Sequence, residues 1–234
     1  MSLSIFTPHI FKKISKIIHA IGFVLTILGF GIGYGWVLML PPDAVQGPIF
    51  KILYLHVPVA WLSSGAYALL FLSSIIYLVW KIPLSFLVAR ASAFVGLGFT
   101  TLCLVSGMIW GAYTWGTWWV WDARLTSVLV LWFLYWGYII LVSAFRNKQQ
   151  GAYNGSLLAL FGSINLPIIK WSVEWWQTLH QPASVTKWAA PSIASPFLTP
   201  LILCALGWLG CGLLLGQWLV NKLWKKETVS SRYP

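Results

Sequence analysis

The residues best suited to binding chemistry lie in one stretch. Trp115–Ser127 reads W-G-T-W-W-V-W-D-A-R-L-T-S. Four of the chain's 17 tryptophans, Trp115, Trp118, Trp119 and Trp121, are followed at once by Asp122, one of only four acidic residues, and then by Arg124. Indole faces are apolar and each ring carries one N–H donor. Such a cluster beside a carboxylate and a guanidinium suits a flat ligand that is partly hydrophobic and partly charged. Of the four histidines, His9 and His19 lie near the N-terminus, whereas His56 and His180 lie far from it and from each other along the chain. Two neutral imidazoles could hold a metal between them, with a planar macrocycle filling the space around it. On opposite faces of one iron their nitrogens would stand about 4 Å apart, taking a metal–nitrogen bond of about 2 Å.

The elements that position these residues follow from composition. The chain of 234 residues is 59% hydrophobic and 8% charged, with a mean hydropathy of +0.80. Soluble domains average about 25% charged residues, so this is an integral membrane protein partnered by the lipid bilayer. Its length allows roughly six helices of about 20 residues. The apolar runs do not alternate with polar residues, which disfavours a β-barrel. The net charge of +11 therefore reports topology rather than nucleic-acid binding. Cys103, Cys204 and Cys211 all fall inside apolar runs and read as small buried residues, not as a disulfide or a metal site. No C-x-x-C-H occurs for covalent haem attachment, and no Walker A, H-E-x-x-H or nucleophile elbow supports catalysis by the chain itself.

Six helices are expected. The first spans about Ile17–Leu40 and is retained rather than cleaved, being longer than a signal-peptide core. Its Gly29, Gly31, Gly33 and Gly35 read as close packing, and Pro41-Pro42 ends it. The second covers about Pro48–Trp80 and is expected to break at Pro58, which removes a backbone donor. The third runs over about Ser85–Tyr113, with Gly96, Gly98 and Gly107 again as packing residues. The fourth begins at Asp122–Ala123 and ends at Phe145, and a polar connection covers Arg146–Tyr153. The fifth runs from about Asn154 to Lys170, with an amphipathic extension over Trp171–His180 stopped by Pro182. A loop follows over Gln181–Pro196, and the sixth helix spans Phe197–Val220. As one domain over 1–234, the chain divides into an N-terminal segment at 1–16, a tryptophan-rich loop at 114–123 and a tail at 222–234.

With the N-terminus in the cytoplasm, 11 basic residues fall on the cytoplasmic side and only Lys51, Arg124, Lys170 and Lys187 on the other. The positive-inside rule thus places both termini inside. The tryptophan loop and the approaches to His56 and His180 then share the outer face. Each residue retains a second, structural reading. The tryptophans could belong to an interfacial belt, although four in one loop are more concentrated than a belt requires. His56 could satisfy carbonyls freed by Pro58, and His180 could cap a helix end. Asp122 reads first as an N-cap of the fourth helix, compatible with orienting a Trp N–H or Arg124. Arg124 could pair with Asp122 or bind a ligand carboxylate. Trp171, Glu174, Trp175 and Trp176 form a second, weaker aromatic group.

The W-G-T-W-W-V-W-D stretch resembles the tryptophan-rich "WWD" signature of haem-handling membrane proteins, and most closely the haem exporter protein C family of system I cytochrome c maturation. Y-L-H-V-P around His56, N-L-P-I around Asn165 and E-W-W-Q-T-L-H-Q around His180 carry the same resemblance. It covers nearly the whole chain. The resemblance implies haem b bound at the periplasmic face of the bacterial inner membrane, with His56 and His180 as axial iron ligands. Trp115, Trp118, Trp119, Trp121, Asp122 and Arg124 would surround the macrocycle. It implies delivery to a membrane-anchored periplasmic haem chaperone, and a complex with the ATPase and permease subunits of an ABC transporter and a small single-helix subunit. The competing readings are a permease subunit lining a haem path, which calls for polar residues deep in the helices and finds mainly Asn165, and a scaffold subunit, which calls for no bound chromophore.

Overall fold

The computed structural model describes residues 8–181, 184, 185, 187 and 189–230. Within them the chain is all-α. Helix α1 (Pro8–Leu28) continues through a π-helical turn at Gly29–Tyr34 into α2 (Gly35–Met39). A 3-10 turn at Pro48–Ile52 leads into α3 (Leu53–Trp80), followed by α4 (Pro83–Thr114), α5 (Ala123–Ala144), α6 (Lys148–Gly162), α7 (Asn165–Trp175) and α8 (Ser195–Ser230). Among the described residues the only extended pairing is a single bridge between Asp43 and Gly47. Six segments, Phe11–Met39, Pro48–Trp80, Pro83–Thr114, Ala123–Ala144, Lys148–Trp175 and Ser195–Glu227, are long and apolar enough to cross a membrane. The chain is thus a multi-pass helical membrane protein.

Several element boundaries differ from the sequence expectation for physical reasons. Pro58 does not break its helix: α3 runs through it without interruption. Pro58 lies early in α3, and the carbonyl left without its usual donor, that of Tyr54, accepts a hydrogen bond from the Tyr34 hydroxyl at 3.2 Å. The expected polar connection over Arg146–Tyr153 is instead mostly helix. Asn147 caps α6, accepting from the backbone N–H groups of Gln149 and Gln150. The fifth crossing is broken at Ser163 and Ile164 into α6 and α7, and the extension towards His180 stops at Trp175. Helix already begins at Pro8, inside the expected N-terminal segment, and α8 continues to Ser230, inside the expected tail. Of the expected loop and tail, Pro182 and residues 183, 186, 188 and 231–234 lie outside the described residues.

Close approach of small residues fixes the packing. Successive residues of a helix point in different directions, so glycines at every second position cannot all face one neighbour. Gly29 and Gly33 face α8, where a Cβ on Gly29 would run into the backbone of Gly207. Gly31 and Gly35 would meet nothing within 4 Å. A Cβ on Gly210 would come within 2.6 Å of the Gly22 carbonyl, which extends the same contact down α1. In the other half of the bundle Gly96 of α4 leaves room for the ring of Tyr135, whose hydroxyl donates to the Ser63 carbonyl at 2.7 Å. Tyr67, Leu70, Leu131, Tyr135 and Tyr138 form the buried centre there. Gly98 meets nothing within 4 Å, so only part of the expected glycine packing on this helix is realised.

Helix α7 is tied to α5 at two points. The Asn165 side-chain amide donates to the Ser127 carbonyl at 2.9 Å, and Arg124 Nε donates to Ser172 Oγ at 3.2 Å. These bonds set the end of α7, and the chain that leaves it, beside the start of α5.

Candidate functional site

One end of the bundle gathers the residues singled out from sequence. It comprises the start of α3, the end of α4, the tryptophan loop, the start of α5 and the chain after α7. The α4 helix stops at Thr114, and Gly116 turns the chain with φ +73°, a left-handed conformation in which a side chain would be strained. Asp122 then caps α5: its Oδ1 accepts from the Leu125 N–H at 2.7 Å. The N-cap reading is therefore realised, and it leaves the second carboxylate oxygen free.

That oxygen meets a histidine. His180 Nδ1 donates to Asp122 Oδ2 at 3.0 Å. A carboxylate oxygen accepts only, so Nδ1 carries the proton and Nε2 keeps its lone pair. The His180 side chain is 22% exposed, and burial holds its pKa below the ordinary value despite the opposing pull of Asp122. The imidazole is therefore neutral at neutral pH, as a metal-binding imidazole must be. The edge of Trp115 packs against it at a centroid separation of 4.9 Å. His180 does not cap α7, which ends at Trp175 with its capping N–H bonded to Ser172.

His56 closes the first turn of α3, partly buried. It does not serve the carbonyl freed by Pro58, because Tyr34 does. Its Nδ1 lies 2.9 Å from Ser106 Oγ, while its ring packs edge-on to Trp110 at 5.7 Å. Trp110 is held in turn by Gln46, whose Oε1 accepts its Nε1–H at 2.8 Å. Gln46 belongs to a tight turn made by Asp43, which accepts from the backbone N–H groups of Val45 and Gln46. Those two bonds hold the Asp43 carboxyl below its usual pKa. Arg124 lies near enough to act electrostatically on His56, and His180 does so when protonated.

The four tryptophans divide. Trp115 lies against His180. Trp119 and Trp121 meet edge to face at 5.3 Å. Trp118 and Trp121 are largely exposed. The Trp119 indole nitrogen is shut off from solvent yet has no acceptor among the described residues. Arg124 bonds Ser172 rather than Asp122, so its guanidinium is turned towards α7. Trp171 and Trp175 stack at 5.7 Å beside it on that helix.

The donor set decides what could be held here. Among the described residues no three His, Cys, Asp or Glu side chains converge as a metal cage. Two imidazoles whose Nε2 atoms have no partner among the described residues suit an iron whose other four ligands come from a macrocycle. The aromatic walls and the unpartnered Trp119 N–H fit such a group. Sequence reasoning missed Ser106, Trp110, Gln46 and Ser172. Their only signal was a polar or N–H-bearing side chain within or beside an apolar helix. It also read Gly107 as helix packing, whereas a Cβ there would stand 3.0 Å from His56 Cε1.

Fold and site together define a multi-pass helical membrane protein that carries two imidazoles and a tryptophan loop at one end. The chain belongs to the Heme exporter protein C family, whose model matches residues 2–232. It is 49% identical over 186 residues to "Heme exporter protein C" of Haemophilus influenzae, covering 79% of this chain and 76% of that protein. It is 46% identical over 174 residues to the protein of the same name from Escherichia coli K12, covering 74% and 69%. With that of Bradyrhizobium diazoefficiens it shares 44% identity over 181 residues, covering 77% and 69%.

Proposed function

We propose that this chain binds haem b at the periplasmic face of the inner membrane and hands it to a membrane-anchored periplasmic haem chaperone for cytochrome c biogenesis. The observation that carries this reading is the pairing of His56 and His180. Each has its Nδ1 engaged by a neighbour and its Nε2 without a partner among the described residues, beside a tryptophan loop, in a chain of the haem exporter family. Haem supplies the iron and the planar ring that the two imidazoles and the indoles would receive.

The chain's residues then take distinct roles. His56 and His180 would hold the haem iron. Asp122 holds the tautomer of His180 while capping α5. Trp115, Trp118, Trp119 and Trp121 form the platform, with the Trp119 N–H available to a ligand oxygen. Arg124, a planar donor suited to carboxylates, is the candidate for a propionate. Trp118 and Trp121 are exposed, which leaves the platform open to a partner on the aqueous side. ATP hydrolysis falls to the ATPase subunit of an ABC transporter, which acts with its permease and a small single-helix subunit. Both termini lie in the cytoplasm, as the basic residues require.

A permease role is less well supported. Asn165, the main polar residue deep in the helices, spends its amide on the Ser127 carbonyl. The test is the absorption spectrum of the detergent-purified protein from haem-replete cells. A Soret band with sharp reduced bands, lost in His56→Ala and His180→Ala, is the expected result. A colourless wild-type preparation, or two variants with wild-type spectra, overturns the reading.

A further inference from the structure

A histidine on a helix does not by itself choose which nitrogen keeps its lone pair. The two neutral tautomers are similar in energy, and the hydrogen bond at one nitrogen decides the state of the other. At His180 the carboxylate of Asp122 makes that choice. At His56 no carboxylate is in contact among the described residues; the side-chain partner is the hydroxyl of Ser106 on α4, with the Cys103 backbone carbonyl as a further acceptor beside it. A hydroxyl can donate or accept, so its own bonding has to be traced. Ser106 Oγ lies 2.6 Å from the Leu102 carbonyl and 3.2 Å from that of Cys103. A serine has one hydroxyl hydrogen, and carbonyl oxygens only accept. The hydrogen is therefore spent within α4, and towards His56 the oxygen can only accept. The proton of the ring is thereby placed on Nδ1, leaving Nε2 as the nitrogen with the lone pair.

The surroundings fix the ring as well as the tautomer. Ser106 is 3% exposed, so no water competes for its oxygen. Gly107, the next residue, has no side chain where one would stand 3.0 Å from His56 Cε1. Trp110, one turn on from Ser106, closes the edge of the ring and is held by Gln46. One turn of α4 thus forms a cradle whose polar point is Ser106.

We propose that Ser106 is a positioning residue for haem binding: by donating its hydroxyl to its own helix it accepts from His56 Nδ1–H and holds His56 with Nε2 free for the iron. This rests on His56 being an axial ligand, as in the proposed function. A hydrogen-bond partner at the other nitrogen of a metal-binding histidine is worth roughly 10–100-fold in affinity.

The test uses the full chain in detergent, with haemin titrated into wild-type, Ser106→Ala, His56→Ala, His56→Gly and His56→Gly/Ser106→Ala proteins. Ser106→Ala is expected to weaken haem binding by roughly 10–100-fold and to broaden the low-spin ferric resonance signal. In His56→Gly, added imidazole is expected to restore the low-spin spectrum at lower concentration than 1-methylimidazole, which has no N–H for the serine to accept. Removing Ser106 in that background is expected to erase the preference. If His56→Ala loses the spectrum but Ser106→Ala binds haem as wild type does, and the two imidazoles rescue equally, the inference fails alone. If His56→Ala keeps the wild-type spectrum, the ligand assignment fails and takes the inference with it. Should Ser106→Ala fail to fold, the imidazole preference in His56→Gly decides the matter.

Discussion

His56 and His180 are chemically the same residue held in two different ways. His56 stands on a continuous helix, and its supports, Ser106, Gly107 and Trp110, come from one turn of a neighbouring helix. His180 stands on non-helical chain after α7, and its supports are the Asp122 carboxylate and the Trp115 ring of the tryptophan loop. One imidazole has a neutral partner on a rigid element, the other an anionic partner on a loop. A carboxylate raises the basicity of a histidine ligand more than a hydroxyl does. The two histidines of the proposed site are therefore held unequally. The His56 side is held by helix packing, and the His180 side depends on one residue that also begins a helix.

The largest effect is expected on the His180 side. Asp122→Ala removes the carboxylate that orients His180, with a loss of roughly 10–100-fold in haem affinity, and the N-cap of α5, worth about 1 kcal/mol. Asp122→Ser separates the two. Serine is a good N-cap, so thermal stability should return while haem titration remains weak. Recovery of both would reduce Asp122 to a cap.

Acid provides the next test. The pKa of His180 lies below its ordinary value because the ring is buried. The unfolded chain therefore binds a proton there before the folded protein does. Stability from this group is complete above about pH 6.5, the unfolded value, and is lost as pH falls through the lower folded value. Melting of the haem-free protein between pH 8 and 4 should show this loss, and His180→Gln should diminish it. An equal acid response in that variant would exclude His180 as its source.

A smaller effect is expected on the His56 side from Gly107→Ala. Alanine favours a helix over glycine by about 1 kcal/mol, so stability should hold or rise. Its methyl would press on His56 Cε1 at 3.0 Å and displace the ring, weakening haem binding without loss of fold. Unchanged binding would show that the cradle has slack. The smallest effect concerns the helix beneath. Tyr34→Phe takes the donor from the Tyr54 carbonyl and the acceptor from Trp208 Nε1, at a cost of about 1 kcal/mol and with no spectral change. In a Pro58→Ala background, where α3 can supply its own N–H to that carbonyl, the cost should shrink.

The legibility of the site from sequence was uneven for the same reason. Asp122 was readable as an N-cap because capping is local, and the structure bears that out. Its bond to His180 spans 58 residues, and nothing in the spacing of either residue announces it. Pro58 was misread as a break because a proline's missing donor is visible in sequence, while the tyrosine hydroxyl that serves the freed carbonyl is not. Gly107 was read as packing because small residues in apolar helices usually pack.

What the sequence determined by itself is what accumulates along the chain. Six apolar segments, a concentrated tryptophan loop and a one-sided distribution of basic residues are sums over neighbours in sequence, and hydropathy needs no partner to act. What only the tertiary structure decided is which nitrogen of each histidine stays free. That depends on hydrogen bonds to residues on other elements, of His56 to Ser106 and of His180 to Asp122. Those bonds exist because closely packed helices bring the elements within 3 Å at one end of the bundle, a distance no pattern of residues can encode alone.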